Sequence, residues 1–233
     1  MGLCPGKLNF FISPVDRAYA IEAFHLSPSN TYTITFGINF TDTPPASQRE
    51  AARTFLLESH RLDKDVTIIL FNGAFGYAPN LNALINLIKN IFPLLKKLSE
   101  KKFKLIVCGK DIPDDLIRNN TNRDIIYTGF VADINTYLSG VTIFVNPITE
   151  GGGIKTKLVE ALGFNLNCVS YKTGAIGVAS EVCGQKLIIV PDNKAEEFAK
   201  AILTASEVTS DIPAAFYAEY SNEKIIEKIK DIL

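Results

Sequence analysis

The sequence predicts an α/β fold, a doubly wound and Rossmann-like parallel sheet with helices on both faces. From Val66 onward, short apolar runs alternate with helix-like segments at the spacing of βαβ units. Most of these runs are continuously apolar, as expected for a parallel sheet that is covered on both faces. The chain has 233 residues and is 47% hydrophobic, which is enough for a sizeable core.

The main domain is predicted to contain six strands and the helices between them. The strands are residues 66–71, 104–108, 124–127, 141–145, 167–170 and 187–190. The helices are residues 80–101 broken at Pro93, a short one after Pro113, and residues 134–139, 155–162 and 195–205.

Glycines follow four of the predicted strands. They are Gly73, Gly109, Gly129 and the run Gly151–Gly153. In a doubly wound sheet, ligands sit outside the carboxyl ends of the strands, where these glycines are expected to meet. Each glycine alone is explained as a turn residue, but together they indicate a nucleotide crevice.

The first part of the chain is less regular. Residues 8–13 and 32–36 are predicted strands, 14–25 and 48–61 are predicted helices, and 41–47 is a loop by composition. We place the boundary near Lys64, so residues 1–63 form a separate segment and residues 64–233 the Rossmann-like domain. At the other end, Ser221 caps a predicted helix with an apolar stripe, namely Ile225, Ile226, Ile229, Ile232 and Leu233.

Charge and composition exclude several classes of protein. With 24 basic and 25 acidic residues, the chain has no electrostatic footprint for a nucleic acid polymer or an anionic membrane. No run approaches the ~20 apolar residues of a membrane span, and no signal peptide pattern is present, so a cytoplasmic location is expected. The four cysteines lack CxxC spacing and only two histidines occur, which predicts buried free thiols and no metal site.

The segment at residues 146–163, NPITEGGGIKTKLVEALG, follows an apolar run and leads into a predicted helix. Gly151, Gly152 and Gly153 let the backbone approach a ligand, and their N–H groups can point at an anion on the helix N-terminus. Phosphate binding is therefore one interpretation of this loop.

Charged side chains follow these glycines. Lys155 and Lys157 add positive charge at the helix entrance, and Glu160 lies where its carboxylate can accept two hydrogen bonds from ribose hydroxyls. Phosphate and sugar together suggest a nucleotide. The alternative, a glycine-rich turn with solvated lysines and a surface glutamate, fits these residues about equally well.

Other candidate motifs are weaker. FNGAFGYAPN at residues 71–80 lacks the GxGxxG spacing and a following acidic residue, which disfavours a nicotinamide cofactor. Asp111, Asp114 and Asp115 could ligate a metal, but Pro113 between them favours the acidic start of a helix. No GxSxG elbow supports a hydrolase triad.

From Ile12 to the C-terminus, the chain resembles the C-terminal half of the group 1 glycosyltransferases (glycosyltransferase family 4), which have the GT-B architecture of two facing Rossmann-like domains. The resemblance rests on the order and spacing of FNGAFGYAPN, LIVCGK, IIYTGFVAD, VNPITEGGGIKTKLVEALG and SYKTGAIGV. SPVDR and ITFGINF resemble the exit from the N-terminal domain and the linker into the second domain. In the family, the terminal helix crosses back to the N-terminal domain.

The resemblance implies roles for the residues of the glycine-rich helix entrance. Glu160 matches the second glutamate of the family's E-x7-E motif, which holds the ribose, but the position of the first glutamate is Gly152. Glu150 is out of register, and the GGG loop resembles a variant branch of the family. Ile154 falls within the same donor-binding loop.

The remaining implied contacts lie in two other loops. Gly129, Phe130 and Val131 match the loop that frames the nucleobase, and Gly73 with Ala74 match the loop beneath the diphosphate. The family's basic residue in that loop is absent here.

A lysine at the entrance to the helix is expected to replace the family's missing basic residue. Because residues two apart on a helix point in different directions, we expect Lys155, nearer the glycines, to reach the diphosphate and Lys157 to stay in solvent.

The resemblance implies the donor-binding half of a retaining, hexosyl-type glycosyltransferase acting in polysaccharide biosynthesis, with Lys155 and Glu160 as its catalytic residues. Its partners would be a nucleotide-sugar donor, which is a substrate and not a cofactor, and an N-terminal acceptor-binding domain in cis or in trans. Peripheral membrane contact is left to that domain. The alternatives are a non-catalytic nucleotide-sugar-binding module or degenerate remnant, and a GT-B epimerase, which SPVDR and GGGIKTK disfavour.

Overall fold

The structure, a computed structural model, describes residues 7–233. Its first elements are β1 (Asn9–Phe11), α1 (Pro14–Phe24), β2 (Thr31–Thr33) and α2 (Ala46–Ser59). Next come β3 (Thr67–Asn72), α3 (Ala78–Asn86), a π-helical turn (Leu87–Ile91), α4 (Phe92–Leu98), β4 (Phe103–Cys108), α5 (Asp114–Arg118), β5 (Ile125–Gly129) and α6 (Ile134–Gly140). The last are β6 (Ile143–Asn146), α7 (Thr156–Gly163), β7 (Asn167–Tyr171), β8 (Leu187–Val190), α8 (Ala195–Ala205), α9 (Ala214–Tyr220) and α10 (Asn222–Lys230).

The centre of the fold is a six-stranded sheet with the order β5-β4-β3-β6-β7-β8. All its strand pairs are parallel. The chain runs outward from β3 to β5 and then returns to β6 beside β3, so the order of strands reverses between β3 and β6. This is the Rossmann order, with its topological switch point at the β3–β6 junction. The predicted doubly wound sheet is confirmed.

Each face of the sheet has its own apolar core. Because side chains alternate along a strand, Ile69 and Phe71 face α3, α4 and α8, whereas Ile68 and Leu70 face α2, α6, α7 and α9. All four side chains are at most 1% exposed. Burial on both faces explains why the strand sequences are continuously apolar.

The helical segment after β3 continues past the predicted break at Pro93. The helix widens into the π-helical turn just before α4, and Pro93 lies in the first turn of α4. A proline has no N–H to donate and its ring needs space, and the wider turn supplies that space without ending the helix.

The N-terminal elements form a small βαβ unit, defined here as residues 9–33. β1 and β2 pair in parallel and form a sheet separate from the main one. Ser13 caps α1, since its Oγ accepts a hydrogen bond from the Asp16 amide at 3.1 Å and donates to the Asp16 carboxylate at 2.7 Å. The unit leaves six large apolar side chains exposed, namely Leu8 at its edge, Phe10, Ile12, Val15, Tyr19 and Phe24.

The linker and α2 pack on the main sheet rather than on the N-terminal unit. Leu56 of α2 is fully buried in the core beneath α6, and Ile38 is buried in the same core. Ile38 also bridges Ser221, where the Tyr220 carbonyl accepts a hydrogen bond from the Ile38 amide at 2.8 Å. The boundary at Lys64 stays a prediction about domain ancestry, because packing on the main domain begins earlier, near Ile38.

The C-terminal region contains one helix that the sequence did not predict. α9 follows Pro213 and buries Phe216, Tyr217 and Tyr220 against α7 and the loop after β7. As predicted, Ser221 caps the next helix, with its Oγ 3.4 Å from the Lys224 amide. The predicted apolar stripe is divided, since Ile225 is buried and Ile226 is exposed on α10, while Leu233 lies beyond the end of the helix and is exposed.

Cys108, Cys168 and Cys183 are buried free thiols, as predicted, and Cys4 lies outside the described residues. Within residues 7–233, no helix combines the length and the apolar character needed to cross a membrane.

The carboxyl edge of the sheet depends on a close backbone contact at Gly109. Gly109 has φ +148°, and a Cβ there would lie 1.7 Å from the Gly73 carbonyl oxygen. Its amide donates to the Gly129 carbonyl at 2.8 Å, and the Gly73 amide donates to the Cys108 carbonyl at 3.0 Å. Three strand-end loops are therefore joined at a point where no side chain fits.

We expect Gly109→Ala to destabilise the fold by more than about 2 kcal/mol, because the methyl group must displace backbone and the residue must hold a left-handed conformation. The control is Gly152→Ala, because a Cβ at Gly152 meets nothing within 4 Å. We expect that change to stay within about 0.5 kcal/mol. Urea unfolding of both variants measures the difference, and equal stabilities would contradict the proposed contact.

Candidate functional site

A cavity of about 410 Å³ lies at the carboxyl ends of the strands, beside the topological switch point. It is formed by the loops after β3, β4 and β5 and by the first turn of α7. Its lining residues are Asn72, Gly73, Ala74, Cys108, Gly109, Lys110, Phe130, Val131, Ala132, Ile134 and Lys157. Five of the predicted donor-binding residues are among them, namely Gly73, Ala74, Phe130, Val131 and Lys157.

Lys157 is the lysine of α7 that lines this cavity. Its Nζ donates to the carbonyl oxygen of Asn72 at 3.3 Å, which ties the first turn of α7 to the end of β3. Burial lowers the pKa of Lys157, and the nearby Glu160 carboxylate opposes that shift. The ammonium group is thus partly removed from water and close to the switch point, in contrast to the expectation that Lys157 stays in solvent.

Lys155 has a different environment. α7 begins at Thr156, so Lys155 is the N-cap residue with an extended backbone, φ −89° and ψ 90°. Its Nζ donates to the carbonyl oxygens of Gly151 at 2.8 Å and Gly152 at 3.1 Å. In this structure Lys155 folds back onto the glycine loop and does not line the cavity. Its predicted contact with a diphosphate stays a prediction.

Glu160 lies one turn further along α7, on the same face as Lys157. It is half-buried, and burial raises its pKa while the charge of Lys157 acts in the opposite direction. No residue within 7–233 donates a hydrogen bond to its carboxylate, so its acceptor capacity is free for a ligand. It adjoins the cavity through Lys157 and is not itself part of the lining.

The glycine loop, defined here as residues 150–154, is held to α3 by one side-chain contact. Gly151 and Gly153 have φ +82° and +74°, conformations that suit glycine, and Gly152 is open to solvent. Asn82 of α3 donates to the Glu150 carboxylate at 3.0 Å, so Glu150 fastens the loop and does not point along α7.

Ile154, at the end of the glycine loop, meets the loop after β7. A Cβ at Gly177, which has φ +82°, would lie 3.2 Å from Cβ of Ile154 and 3.3 Å from Cβ of Ser13. Ser13 begins α1. The glycine loop, the loop after β7 and the N-terminal unit therefore meet at one place.

The loop after β5 forms the outer wall of the cavity. Gly129 has φ +69° with open space beside it, and Phe130 is 77% exposed although it is a large aromatic residue. Val131 is partly buried against the core under α6. This wall therefore offers an aromatic face and backbone polar groups to a planar ligand.

Sequence reasoning did not assign a role to Lys110, which also lines the cavity. It directly follows Gly109, and a basic residue directly after a strand-end glycine was the signal that could have revealed it. Lys110 and Lys157 together supply the positive charge that the loop after β3 lacks. Cys108 lines the same cavity, but burial raises the pKa of its thiol to about 11, so it is not a nucleophile near neutral pH.

Two further polar residues organise the neighbouring strand ends. Asn146 is buried at the end of β6 and donates from Nδ2 to the Gly174 carbonyl at 2.7 Å and to Ser170 Oγ at 3.2 Å. Asp192 accepts from Thr173, from its amide at 3.0 Å and its hydroxyl at 2.6 Å. These bonds fix the loop after β7, which the sequence predicted only as part of a motif.

Two of the three acidic residues after β4 lie at the start of a helix, where a negative charge is favourable. Asp114 and Asp115 are in the first turn of α5, and Asp114 pairs with Arg118 at 2.6 Å. Asp111 has a left-handed backbone with φ 61° in the preceding turn. The predicted acidic helix start is confirmed, although the N-cap itself is Pro113 and makes no side-chain cap.

The fold and the cavity define a class of protein, a Rossmann-like α/β domain with a cavity at the carboxyl ends of its strands. A family model described as "Glycosyl transferases group 1" matches residues 66–207, which is more than half of the chain. The chain belongs to this family.

Known structures agree with the fold. A glycosyltransferase from Rickettsia africae superposes with a TM-score of 0.68 and 16% identity, over 97% of this chain and 62% of that one. The Anabaena protein HepE, solved in complex with UDP and glucose, gives a TM-score of 0.71 at 16% identity over the same shares, 97% and 62%. At these identities the similarity shows the fold alone.

One curated relative is an uncharacterised 44.6 kDa protein in the cps region of Klebsiella pneumoniae, 26% identical over 161 residues. The match covers 66% of this chain and 40% of the relative. The chain thus corresponds to less than two thirds of the length of the relatives that it matches.

Proposed function

We propose that this chain is the donor-binding half of a retaining glycosyltransferase, which moves a sugar from a nucleotide-sugar to an acceptor. The observation that carries the proposal is the cavity at the switch point, where strand-end glycines, an exposed aromatic residue and a partly buried lysine converge. Rossmann-like sheets bind nucleotides at this place. Membership in the group 1 glycosyltransferases supports a sugar nucleotide as the ligand.

The diphosphate is assigned to the region between Gly73 and the first turn of α7. The backbone at Gly73 and Ala74 allows close approach, and Lys110 and Lys157 contribute positive charge on two sides of the cavity. A departing diphosphate is stabilised by such preorganised charges and by a helix N-terminus, without a need for a metal ion. Lys155 is proposed as a third cation, which can leave the Gly151 and Gly152 carbonyls when a phosphate is present.

The nucleoside is assigned to the loop after β5 and to Glu160. Phe130 and Val131 would frame the base, and the free carboxylate of Glu160 would accept hydrogen bonds from the ribose hydroxyls. Because HepE is described in complex with UDP, UDP is the first nucleotide to test here.

The N-terminal unit is proposed as the junction with an acceptor-binding domain, present in cis or supplied in trans. An isolated two-stranded sheet is marginally stable, and this one leaves Phe10 and Ile12 exposed beside unpaired strand edges. A second domain that extended the sheet would cover them. In this proposal residues 1–63 hold the exit from that domain and residues 64–233 form the donor domain.

Glu160→Gln should weaken binding of UDP by about 1.5–3 kcal/mol, because the ribose then loses hydrogen bonds to a charged acceptor. Isothermal titration calorimetry measures the loss. Glu150→Gln is the matched control and should leave affinity near the wild-type value, since Glu150 is occupied by Asn82. Equal affinities of wild type and Glu160→Gln would remove Glu160 from the site.

Lys157→Met should weaken UDP binding more than uridine binding, because the lysine interacts with the diphosphate and not with the nucleoside. The same variant should gain thermal stability without ligand, since it no longer buries a charge. Lys155→Met, measured in the same way, shows which of the two lysines contributes more to diphosphate binding. If Lys155 is the main diphosphate contact, its variant shows the larger UDP-specific loss and Lys157→Met shows little.

Sugar transfer should require the N-terminal domain. Holding donor and acceptor in attack geometry can lower the activation free energy by about 7–11 kcal/mol. A GT-B enzyme does this in the cleft between its two domains. We expect the 233-residue chain to bind the donor but to transfer sugar only when an N-terminal domain is added. Donor binding without transfer after that addition would favour the alternative, a non-catalytic nucleotide-sugar-binding module.

A further inference from the structure

A second cleft lies at the opposite ends of the strands, near the amino ends of β3, β6 and β7. Its volume is about 760 Å³, compared with about 410 Å³ for the donor cavity. It is bounded by α2, by the start of these strands and by the segment after α8. Because the two cavities lie at opposite ends of the strands, a ligand in this cleft would not touch the cavity at the switch point.

Lys186 in the wall of this cleft is a buried cation. Its residue is 5% exposed, and its Nζ donates to Asn167 Oδ1 at 2.9 Å. No carboxylate among residues 7–233 lies within ion-pair distance of this ammonium group. Two of its three protons therefore have no protein acceptor in the structure.

Arg49 of α2 lies on the other side of the same cleft. Its Nε is buried and has no hydrogen-bond partner among residues 7–233. The nearest acid is Asp211, whose Oδ1 is 4.0 Å from Arg49 Nη2 and which also accepts from Asn165 Nδ2. An unpaired buried N–H of a charged group costs free energy, and a bound oxyanion would remove that cost.

Lys186 is influenced by the charged groups around it. Burial lowers the pKa of Lys186, Asp211 opposes this shift, and the positive charge of Arg49 adds to it. Arg53, another basic residue in the wall, already donates hydrogen bonds to Thr142 Oγ1 and to the Lys64 and Val66 carbonyls.

We propose that this cleft binds a phosphate-bearing small molecule through Lys186 and Arg49. A tetrahedral phosphate offers acceptor oxygens in several directions, which suits donors that approach from two different elements. Glu50, Asp65 and Asp211 also line the cleft, so the rest of the molecule is expected to carry hydroxyl or amine donors and not further negative charge.

Inorganic phosphate is the probe, titrated into the 233-residue chain by calorimetry and thermal unfolding, with sodium chloride at equal ionic strength as the reference. Lys186→Met should weaken phosphate binding about tenfold or more. Arg49→Gln should do so independently, and it leaves Lys186 in place if the first variant folds poorly. Lys97→Met, which removes an exposed lysine of α4 that lines neither cavity, is the matched control and should bind like the wild type.

Lys157→Met identifies phosphate bound in the donor cavity instead. The proposal requires that this variant keep the phosphate response that Lys186→Met and Arg49→Gln lose. The opposite pattern, or no phosphate-specific response in the wild type, overturns it. If Lys186→Met only raises thermal stability and binds phosphate normally, Lys186 is a structural residue and the proposal fails, whatever the donor site does.

Discussion

The candidate site depends on one contact between backbones, that of Gly109 with Gly73. The loops after β3, β4 and β5 converge only because a side chain is missing where Gly109 meets the Gly73 carbonyl. Two backbone hydrogen bonds, from Gly73 to Cys108 and from Gly109 to Gly129, hold the loops together there. The cavity lies between these loops and α7, so its width is set by the shared position of three strand ends and not by any one flexible loop.

Lys157 and Glu160, which lie one turn apart on α7, are partly buried charged residues with few protein partners. Burial lowers the pKa of Lys157 and raises that of Glu160, and each residue only partly compensates the other. Apart from the Asn72 carbonyl, the structure gives these two groups few polar partners. A half-buried pair of this kind is a poor source of stability. Its cost is understandable if a diphosphate and a ribose complete its interactions.

Much of the fold could be predicted because the signal was strong. The inner strands β3, β4, β6 and β7 are almost entirely buried, so their apolar runs marked them to within a few residues. The edge strands β5 and β8 are only partly buried, but their runs are apolar enough to be recognised as well. The π-helical turn before Pro93 and the helix α9 were missed, because the first depends on how a chain accommodates a proline and the second on aromatic burial without clear periodicity. Which lysine lines the cavity could not be predicted, because it depends on the backbone before α7, where Gly151 and Gly153 are left-handed and Lys155 is the extended N-cap residue.

The N-terminal unit and the glycine loop are mechanically connected, although they are distant in sequence. Ser13 and Ile154 both pack against Gly177, at distances that would crowd a Cβ atom there. Gly177 belongs to the loop that Asn146 and Asp192 hold by hydrogen bonds at Gly174 and Thr173. A domain that docks on the exposed apolar side of the N-terminal unit would hold Ser13 in place, and through Gly177 it would restrict Ile154 at the entrance to α7. The same contact that positions a second domain would thereby position the loop closest to the proposed diphosphate.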